Sequence, residues 1–94
     1  MARAIWNGVT VAESEDTVIV EGNHYFPRAS IIERFFKPST YCSDCPWKGE
    51  AKYYHIDVDG TVNEDAAWFY GEPTPAAAKI QDRIAFWKGV IVEA

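Results

Sequence analysis

Residues 41–54 read YCSDCPWKGEAKYY and contain both cysteines of the chain, a lysine–glycine pair and two adjacent tyrosines. Their second half opens a predicted strand, Glu50–Val58, because large apolar and aromatic side chains alternate with polar ones along it. One face of this strand carries Tyr54, Ile56 and Val58, and the other carries Tyr53, His55 and Asp57. Asp59-Gly60 follows as a two-residue turn, which predicts a hairpin. The stretch therefore anchors a predicted antiparallel sheet.

A second turn signal lies near the amino terminus. Asn7-Gly8 is a preferred two-residue hairpin turn, since both central positions need positive φ. The register predicted from it pairs Trp6 with Val9 and Ala4 with Val11 on the core face, and leaves Ala12 on the opposite face. The sequence thus predicts a hairpin over Ala2–Glu13.

The remaining segments predict further short elements. Extended segments are expected at Thr17–Val20, His24–Phe26, Ala66–Tyr70 and Phe86–Glu93, with Glu21-Gly22-Asn23 interrupting the first two. Helical spacing predicts a short helix at Ser30–Phe36, and a second helix is expected at Pro75–Asp82 with Thr74 as its cap. The predicted fold is mainly β: a compact antiparallel sheet, tent-like or half-barrel, with two short helices, forming one domain over residues 1–94.

Composition limits the classes of partner that the chain is expected to bind and predicts its cellular compartment. The 94 residues carry a formal net charge of −5, with 48% hydrophobic and 15% aromatic residues. An acidic chain lacks the basic face of a nucleic-acid binder, and no apolar run reaches the roughly 20 residues of a membrane span. The absence of a signal peptide and the two cysteines predict reduced thiols in the cytoplasm.

Two polar segments are candidates for a ligand pocket. Lys48, before Gly49, could hold a carboxylate or phosphate, and Glu21 could act as a base or hydrogen-bond acceptor beside Asn23 and Tyr25. Each segment can also be interpreted as an ordinary turn, and the residues of Glu21-Gly22-Asn23 by themselves favour that interpretation. Lys88-Gly89 repeats the Trp-Lys-Gly triplet elsewhere in the chain, which favours that simpler interpretation for Lys48.

The two cysteines leave four interpretations open. Cys42 and Cys45 supply two of the four ligands of a structural zinc site, or form a redox pair, or leave Cys45 as a nucleophile near Lys48. The fourth interpretation is two small thiols that pack in a turn. The sequence specifies no cofactor and predicts no metal site.

Acidic, histidine and tryptophan side chains offer weaker candidates. Asp57 and Asp59 could bind Mg²⁺ for nucleotidyl transfer, although a hairpin turn explains Asp59 as well. His24 and His55 are interpreted as packing residues. The tryptophans could form an aromatic cage, but Trp6 and Trp87 are interpreted first as core residues.

Several motifs together resemble a known family. They are Trp6-Asn7-Gly8, Glu21-Gly22-Asn23-His24-Tyr25-Phe26-Pro27, Cys45-Pro46-Trp47-Lys48-Gly49-Glu50-Ala51-Lys52-Tyr53-Tyr54, Ala66-Ala67-Trp68-Phe69-Tyr70 with Pro73, and Ile84-Ala85-Phe86. Their order resembles the bacterial family called domain of unknown function 427 over nearly the whole chain. The resemblance implies a small β-rich domain with short helices and places Glu21, Asn23, Tyr25, Cys45, Lys48 and Tyr53 in shared segments. It also brings a nucleotidyltransferase label, of which Asp57-Val58-Asp59 matches half the usual signature.

Three hypotheses of function follow. The first is a pocket between Glu21–Tyr25 and Cys45–Tyr54 that binds a small anionic or aromatic molecule. In that pocket Glu21, Cys45 and Lys48 are the candidates for catalysis, and Asn23, Tyr25, Trp47 and Tyr53 for ligand binding. The second is a protein-interaction module, such as a homodimer, without catalysis. The third is Mg²⁺-dependent nucleotidyl transfer.

Overall fold

The computed structural model describes residues 1–94 and contains nine strands in three antiparallel sheets, which confirms the predicted fold class. The strands are β1 (Ala2–Trp6), β2 (Val9–Ser14), β3 (Val18–Val20), β4 (Asn23–Tyr25), β5 (Phe36–Cys45), β6 (Gly49–Val58), β7 (Thr61–Phe69), β8 (Ile84–Phe86) and β9 (Ile91–Glu93). A first sheet has the order β2-β1-β9, a second pairs β3 with β4, and a central sheet has the order β5-β6-β7-β8. Three short 3-10 segments connect them, at Arg28–Ser30, Glu33–Phe35 and Pro75–Ile80.

The central sheet separates two apolar clusters. On one face, Tyr54, Ile56 and Val58 of β6 join the cluster formed with the first sheet, as the alternation along β6 predicts. On the other face, Ala51 and Tyr53 join the cluster that includes the second sheet and the third 3-10 segment. Because successive strand residues point to opposite faces, β6 contributes to both clusters. The chain is therefore layered, with the central sheet in the middle.

The predicted amino-terminal hairpin is confirmed, with one change of register. Trp6 pairs with Val9, but Ala4 pairs with Ala12 instead of Val11, because the register shifts between Ala4 and Ile5. The extra residue in β2 is a bulge, which turns consecutive side chains toward the same side. Val11 and Ala12 are both fully buried, so the prediction that Ala12 lies on the opposite face is wrong.

The predicted helix at Ser30–Phe36 is divided into two 3-10 turns. Ile31 and Ile32 are extended, with ψ of 149° and 95°. Ile31 forms an isolated bridge to Ala12, and the Ile32 N–H donates to the Val11 carbonyl at 2.8 Å. Pairing with β2 therefore replaces helix at the two β-branched residues, and Phe36 already begins β5.

The second predicted helix is a 3-10 segment, Pro75–Ile80. Thr74 precedes it as expected, but its hydroxyl donates to the Trp47 carbonyl and makes no capping bond. Ala77 and Ile80 are the buried residues of this segment. The segment ends where Gln81 bridges to Tyr70.

The predicted last strand, Phe86–Glu93, is two strands in two different sheets. Lys88 and Gly89 have φ of 53° and 86°, which reverses the chain after β8. β8 lies in the central sheet and β9 pairs with β1. No helix of the structure is long and apolar enough to cross a membrane.

Candidate functional site

The loop between β5 and β6 holds the central lysine of the candidate site. Cys45 pairs with Gly49 across the hairpin, and the Lys48 N–H donates to the Cys45 carbonyl at 3.2 Å. Gly49 has φ of 116°, and a Cβ there would lie 3.3 Å from the Glu72 carbonyl oxygen. Glycine is required because other residues avoid this conformation and would crowd the neighbouring backbone.

The same loop is bound to the segment before the third 3-10 turn. The Thr74 N–H donates to the Lys48 carbonyl at 2.9 Å, and the Thr74 hydroxyl donates to the Trp47 carbonyl. These two hydrogen bonds fix the peptide groups before and after the Lys48 Cα. The direction of the lysine side chain is thus set by a segment 26 residues further along the chain.

Lys48 is the one buried charged residue, with 7% of its surface exposed. Its ammonium donates a hydrogen bond to Glu21 Oε1. Nζ also lies 5.5 Å from the ring centroids of both Trp47 and Tyr70. A buried ammonium needs such partners, since an unpaired buried charge is costly.

Charge and burial act in opposite directions on this pair. Burial is the largest single influence on Lys48 and lowers its pKa. The hydrogen bond to Glu21 and the charges of Tyr25, Tyr70 and Glu21 together outweigh burial, so the pKa lies above its ordinary value. The hydrogen bond and the charge of Lys48 lower the pKa of the Glu21 carboxyl. Burial raises the pKa of the neighbouring Tyr70 hydroxyl. The pair is therefore ionised through the neutral range of pH.

Glu21 reaches Lys48 from the turn of the β3–β4 hairpin. Glu21 and Gly22 have φ of 52° and 80°, and Val20 pairs with Asn23 across them. The predicted interruption at Glu21-Gly22-Asn23 is thus a two-residue turn that joins two paired strands. The Glu21 side chain stays 54% exposed, so one end of the ion pair faces solvent.

A cavity of about 170 Å³ lies beside the ion pair. Four aromatic side chains and the lysine line it, namely Lys48, Tyr53, Trp68, Tyr70 and Trp87. Two larger clefts, of about 400 and 350 Å³, contain none of the predicted site residues. The small cavity is therefore the candidate functional site.

Contacts among the rings fix the cavity walls. The Trp68 and Trp87 rings meet edge to face with centroids 5.9 Å apart, and Tyr53 lies 6.2 Å from Trp87. The Trp68 indole N–H donates to Tyr25 Oη at 3.3 Å, and Tyr53 Oη is hydrogen-bonded to Ser43 Oγ at 2.8 Å. Tyr53 of β6 and Trp68 of β7 thus each have a hydrogen-bond partner that holds the orientation of the ring.

The structure brings some of the predicted site residues together and leaves others aside. Lys48 and Tyr53 line the cavity, and Glu21 pairs with the lysine. Tyr25 lies behind the wall, fully buried, in contact with Trp68. The other three do not line the cavity: Trp47 is 41% exposed, and Asn23 and Cys45 are partly buried.

Three of the residues that line the cavity were not predicted from the sequence to be site residues. Trp68 near the end of β7 and Tyr70 just after it alternate with period two and share the Tyr53 face, so this pattern could have identified them. Trp87 was predicted to be a core residue, but it is 43% exposed. Its position depends on the Lys88-Gly89 turn, which ends β8 and leaves the ring at the cavity mouth.

The two cysteines lie on one strand and are too far apart to bond to each other. Cys42 and Cys45 are both in β5, and both are free thiols. Three residues of a strand span about 10 Å, whereas a disulfide needs Cα atoms within about 7 Å. A redox pair would require β5 to be disrupted.

The remaining titratable candidates have local structural partners. Asp57 Oδ1 accepts a hydrogen bond from the Gly60 N–H at 3.0 Å, inside the predicted Asp59-Gly60 turn. Thr17 Oγ1 is hydrogen-bonded to His24, and the Asp65 N–H donates to His55. No group of three or more histidine, cysteine or acidic side chains that could hold a metal ion is present.

Comparison with known families agrees with the motifs. The chain belongs to the family described as Domain of unknown function (DUF427), whose profile matches residues 1–94. A search of curated proteins gave no match. Family membership confirms the resemblance found in the sequence and assigns no activity.

Proposed function

We propose that this DUF427 domain binds a small, ring-bearing molecule with an anionic substituent in the cavity beside Lys48. The observation that carries the proposal is a buried ammonium in the wall of a cavity otherwise lined by aromatic rings. Rings offer flat apolar surface for stacking, and a fixed cation selects the substituent. The ligand lies between the Glu21–Tyr25 and Cys45–Tyr54 segments.

The size of the cavity limits the ligand. A dry cavity of about 150 Å³ accommodates a benzene molecule. The cavity beside Lys48, at about 170 Å³, therefore takes a single ring and leaves the rest of a larger molecule outside. Trp87, which is 43% exposed, lies where such a ligand would enter.

Glu21 acts in this proposal as a competitor for the lysine. In the free protein its carboxylate neutralises Lys48, and about half of its side chain is in contact with water. A ligand carboxylate or phosphate that approaches Nζ takes the same place, while Glu21 turns outward into solvent at little cost. The buried ammonium thus keeps an anionic partner in both states.

Benzoate and its neutral isostere benzamide test the proposal. We expect benzoate to bind about tenfold more tightly or better, because a hydrogen bond to a charged group contributes about 1.5–3 kcal/mol. In Lys48→Met the preference for benzoate disappears, while weak binding of benzamide remains. Binding is measured by two-dimensional ¹H–¹⁵N NMR titration, which also shows that the variant is folded.

Two further variants sharpen this test. Lys79→Met removes an exposed lysine outside the cavity lining and leaves the preference unchanged. Glu21→Gln frees the ammonium and strengthens benzoate binding but not benzamide binding. The proposal is wrong if neither ligand perturbs Tyr53 and Trp68, or if benzoate and benzamide bind equally to the wild-type protein.

Catalytic roles for Glu21, Cys45 and Lys48 remain predictions of the sequence. Glu21 is suited to bind or exchange a proton at the cavity edge because it is half exposed and next to Lys48. Cys45 packs against the apolar cluster that includes Tyr53 and Tyr70. The proposal places the protein in the cytoplasm, where its two free thiols stay reduced.

Exposed aromatic side chains support a second candidate function, a homodimer or other protein contact. Tyr41 is 51% exposed on β5, an edge strand of the central sheet, and Trp47 is 41% exposed in the adjoining loop. An edge strand offers unpaired backbone groups to a second chain. Sedimentation equilibrium across a range of concentrations distinguishes a dimer from a monomer, and Tyr41→Ser shifts a dimer that uses this edge toward monomer.

A further inference from the structure

A second cleft lies on the opposite face of the central sheet from the Lys48 cavity. It has a volume of about 400 Å³, and its lining residues are Arg28, Ile31, Glu33, Arg34, Phe36, Pro38 and Tyr54. Adjacent residues of β6 point to opposite faces, so Tyr53 lines the first cavity and Tyr54 lines this cleft. The sheet itself separates the two.

The cleft contains both arginines that form no ion pair. Of the four arginines in the chain, Arg3 pairs with Glu13 and Arg83 pairs with Asp16. Arg28 and Arg34 have no carboxylate partner, although the chain carries a net charge of −5. With Glu33 counted, the lining has a net charge of +1 in a protein that is acidic elsewhere.

Aromatic rings hold the two guanidinium groups. Arg28 Cζ lies 4.6 Å from the Phe69 ring centroid, and its Nη1 donates to Tyr54 Oη at 2.8 Å. Arg34 Cζ lies 4.6 Å from the Phe35 ring centroid. A guanidinium has five N–H donors, so stacking and one hydrogen bond leave several donors of Arg28 free for a ligand.

We propose that this cleft binds the phosphate group of a small organic phosphate between Arg28 and Arg34. A doubly charged anion matches two guanidinium groups, and the planar donor fork suits phosphate oxygens. Ile31, Phe36 and the Tyr54 ring provide apolar surface for the organic part. The volume falls in the range of small-molecule sites, about 300–1,000 Å³.

Phenyl phosphate, titrated into ¹⁵N-labelled protein, tests the inference, with phenol and inorganic phosphate as partial ligands. We expect shifts at the amides of residues 28–37 and of Tyr54, and weaker binding of either partial ligand. Arg34→Gln weakens phenyl phosphate binding about tenfold, since it removes one charge-assisted contact. Because the Arg34 side chain is exposed, this variant keeps its fold.

Control variants separate this site from the Lys48 cavity and from general charge. Arg3→Gln removes an arginine of the first sheet and leaves the phenyl phosphate shifts at residues 28–37 unchanged. Lys48→Met also leaves these shifts unchanged and removes only shifts at the Lys48 cavity. Arg28→Lys keeps the charge but not the fork, and weakens binding less than Arg28→Gln. The inference is overturned if the shifts are confined to Tyr53 and Trp68, if Arg34→Gln shows the same binding at residues 28–37 as the wild type, or if nothing binds.

Discussion

At the scale of single residues, Lys48 determines the chemistry of the site. Its ammonium is buried, so the charged form is stabilised by the carboxylate of Glu21, which lies 27 residues earlier in the sequence. Because Glu21 is half exposed, the pair can separate without leaving a charge buried at that end. A buried cation beside a half-exposed carboxylate is the arrangement that the proposed exchange of Glu21 for a ligand anion requires.

The ion pair predicts a dependence of stability on pH. The pKa of Glu21 is lowered by Lys48, so the pair stabilises the fold above the carboxyl pKa of the unfolded chain, about 4.3. That contribution is lost as pH falls through the lower pKa of the folded state. We expect the difference in urea midpoint between wild type and Glu21→Gln to be constant from about pH 6 to 8 and to shrink as pH falls below about 4.

Glu15→Gln is the matched control for this measurement. Glu15 is exposed and has no ion-pair partner in the structure. Its substitution leaves the pH dependence of stability like that of the wild type. A difference between wild type and Glu21→Gln that persists undiminished at pH 3 would show that the carboxylate charge is not its source.

At the scale of elements, the loop between β5 and β6 and the segment around Thr74 act as one unit. Two hydrogen bonds from Thr74 reach carbonyls on either side of Lys48, and Gly49 allows the two backbones to approach each other. The loop is therefore held in place by another segment of the same chain.

Pro38 and Lys37 lie near the start of β5, at the outer edge of the central sheet, where proline and charge discourage strand pairing.

Glycine substitutions measure this contact. Gly49→Ala is expected to destabilise the protein more than Gly60→Ala, by at least about 1 kcal/mol. Both glycines have positive φ. A Cβ at Gly49 would lie 3.3 Å from the Glu72 carbonyl oxygen, whereas a Cβ at Gly60 would have no heavy atom within 4 Å. Urea unfolding of the two variants gives the comparison. Equal losses would show that the crowding relaxes without cost.

At the scale of the whole molecule, β8 joins the two apolar clusters. Ile84 and Phe86 belong to the cluster on the first-sheet side, and Ala85, between them, belongs to the other. All three residues are buried, and Phe26 exchanges two backbone hydrogen bonds with Ile84 at 2.8 Å. The layers are thus coupled through a strand of three residues.

This coupling predicts cooperative unfolding. Ile84→Ala should cost about 2–5 kcal/mol, a large share of the roughly 5–15 kcal/mol that stabilises a domain. Tryptophan fluorescence and far-ultraviolet circular dichroism should give coincident urea transitions in the variant and the wild type. Ile91→Ala, at a side chain that is 62% exposed, should change stability by about 0.5 kcal/mol or less. Separate transitions would mean that the layers unfold independently.

Much of the fold was predictable because its turns are local. Asn7-Gly8 and Asp59-Gly60 fix two hairpins through backbone preferences of their own residues. The alternation along β6 correctly assigns Tyr54 and Tyr53 to opposite faces. The helix predicted over Ser30–Phe36 failed because pairing with β2, which is distant in sequence, outweighs a local helical pattern.

Lys48 and Lys88 show what the sequence determined and what only the tertiary structure decided. Both lie in the triplet Trp-Lys-Gly, and the sequence by itself determined that each triplet marks a reversal of the chain. Lys88 has φ of 53° and an exposed side chain, whereas Lys48 is buried against Glu21 and Tyr70. The burial of Lys48 depends on Thr74 and on the β3–β4 turn, which lie on opposite sides of Lys48 in the sequence. Local chemistry sets a turn, but desolvation of a charge depends on which distant segments surround it.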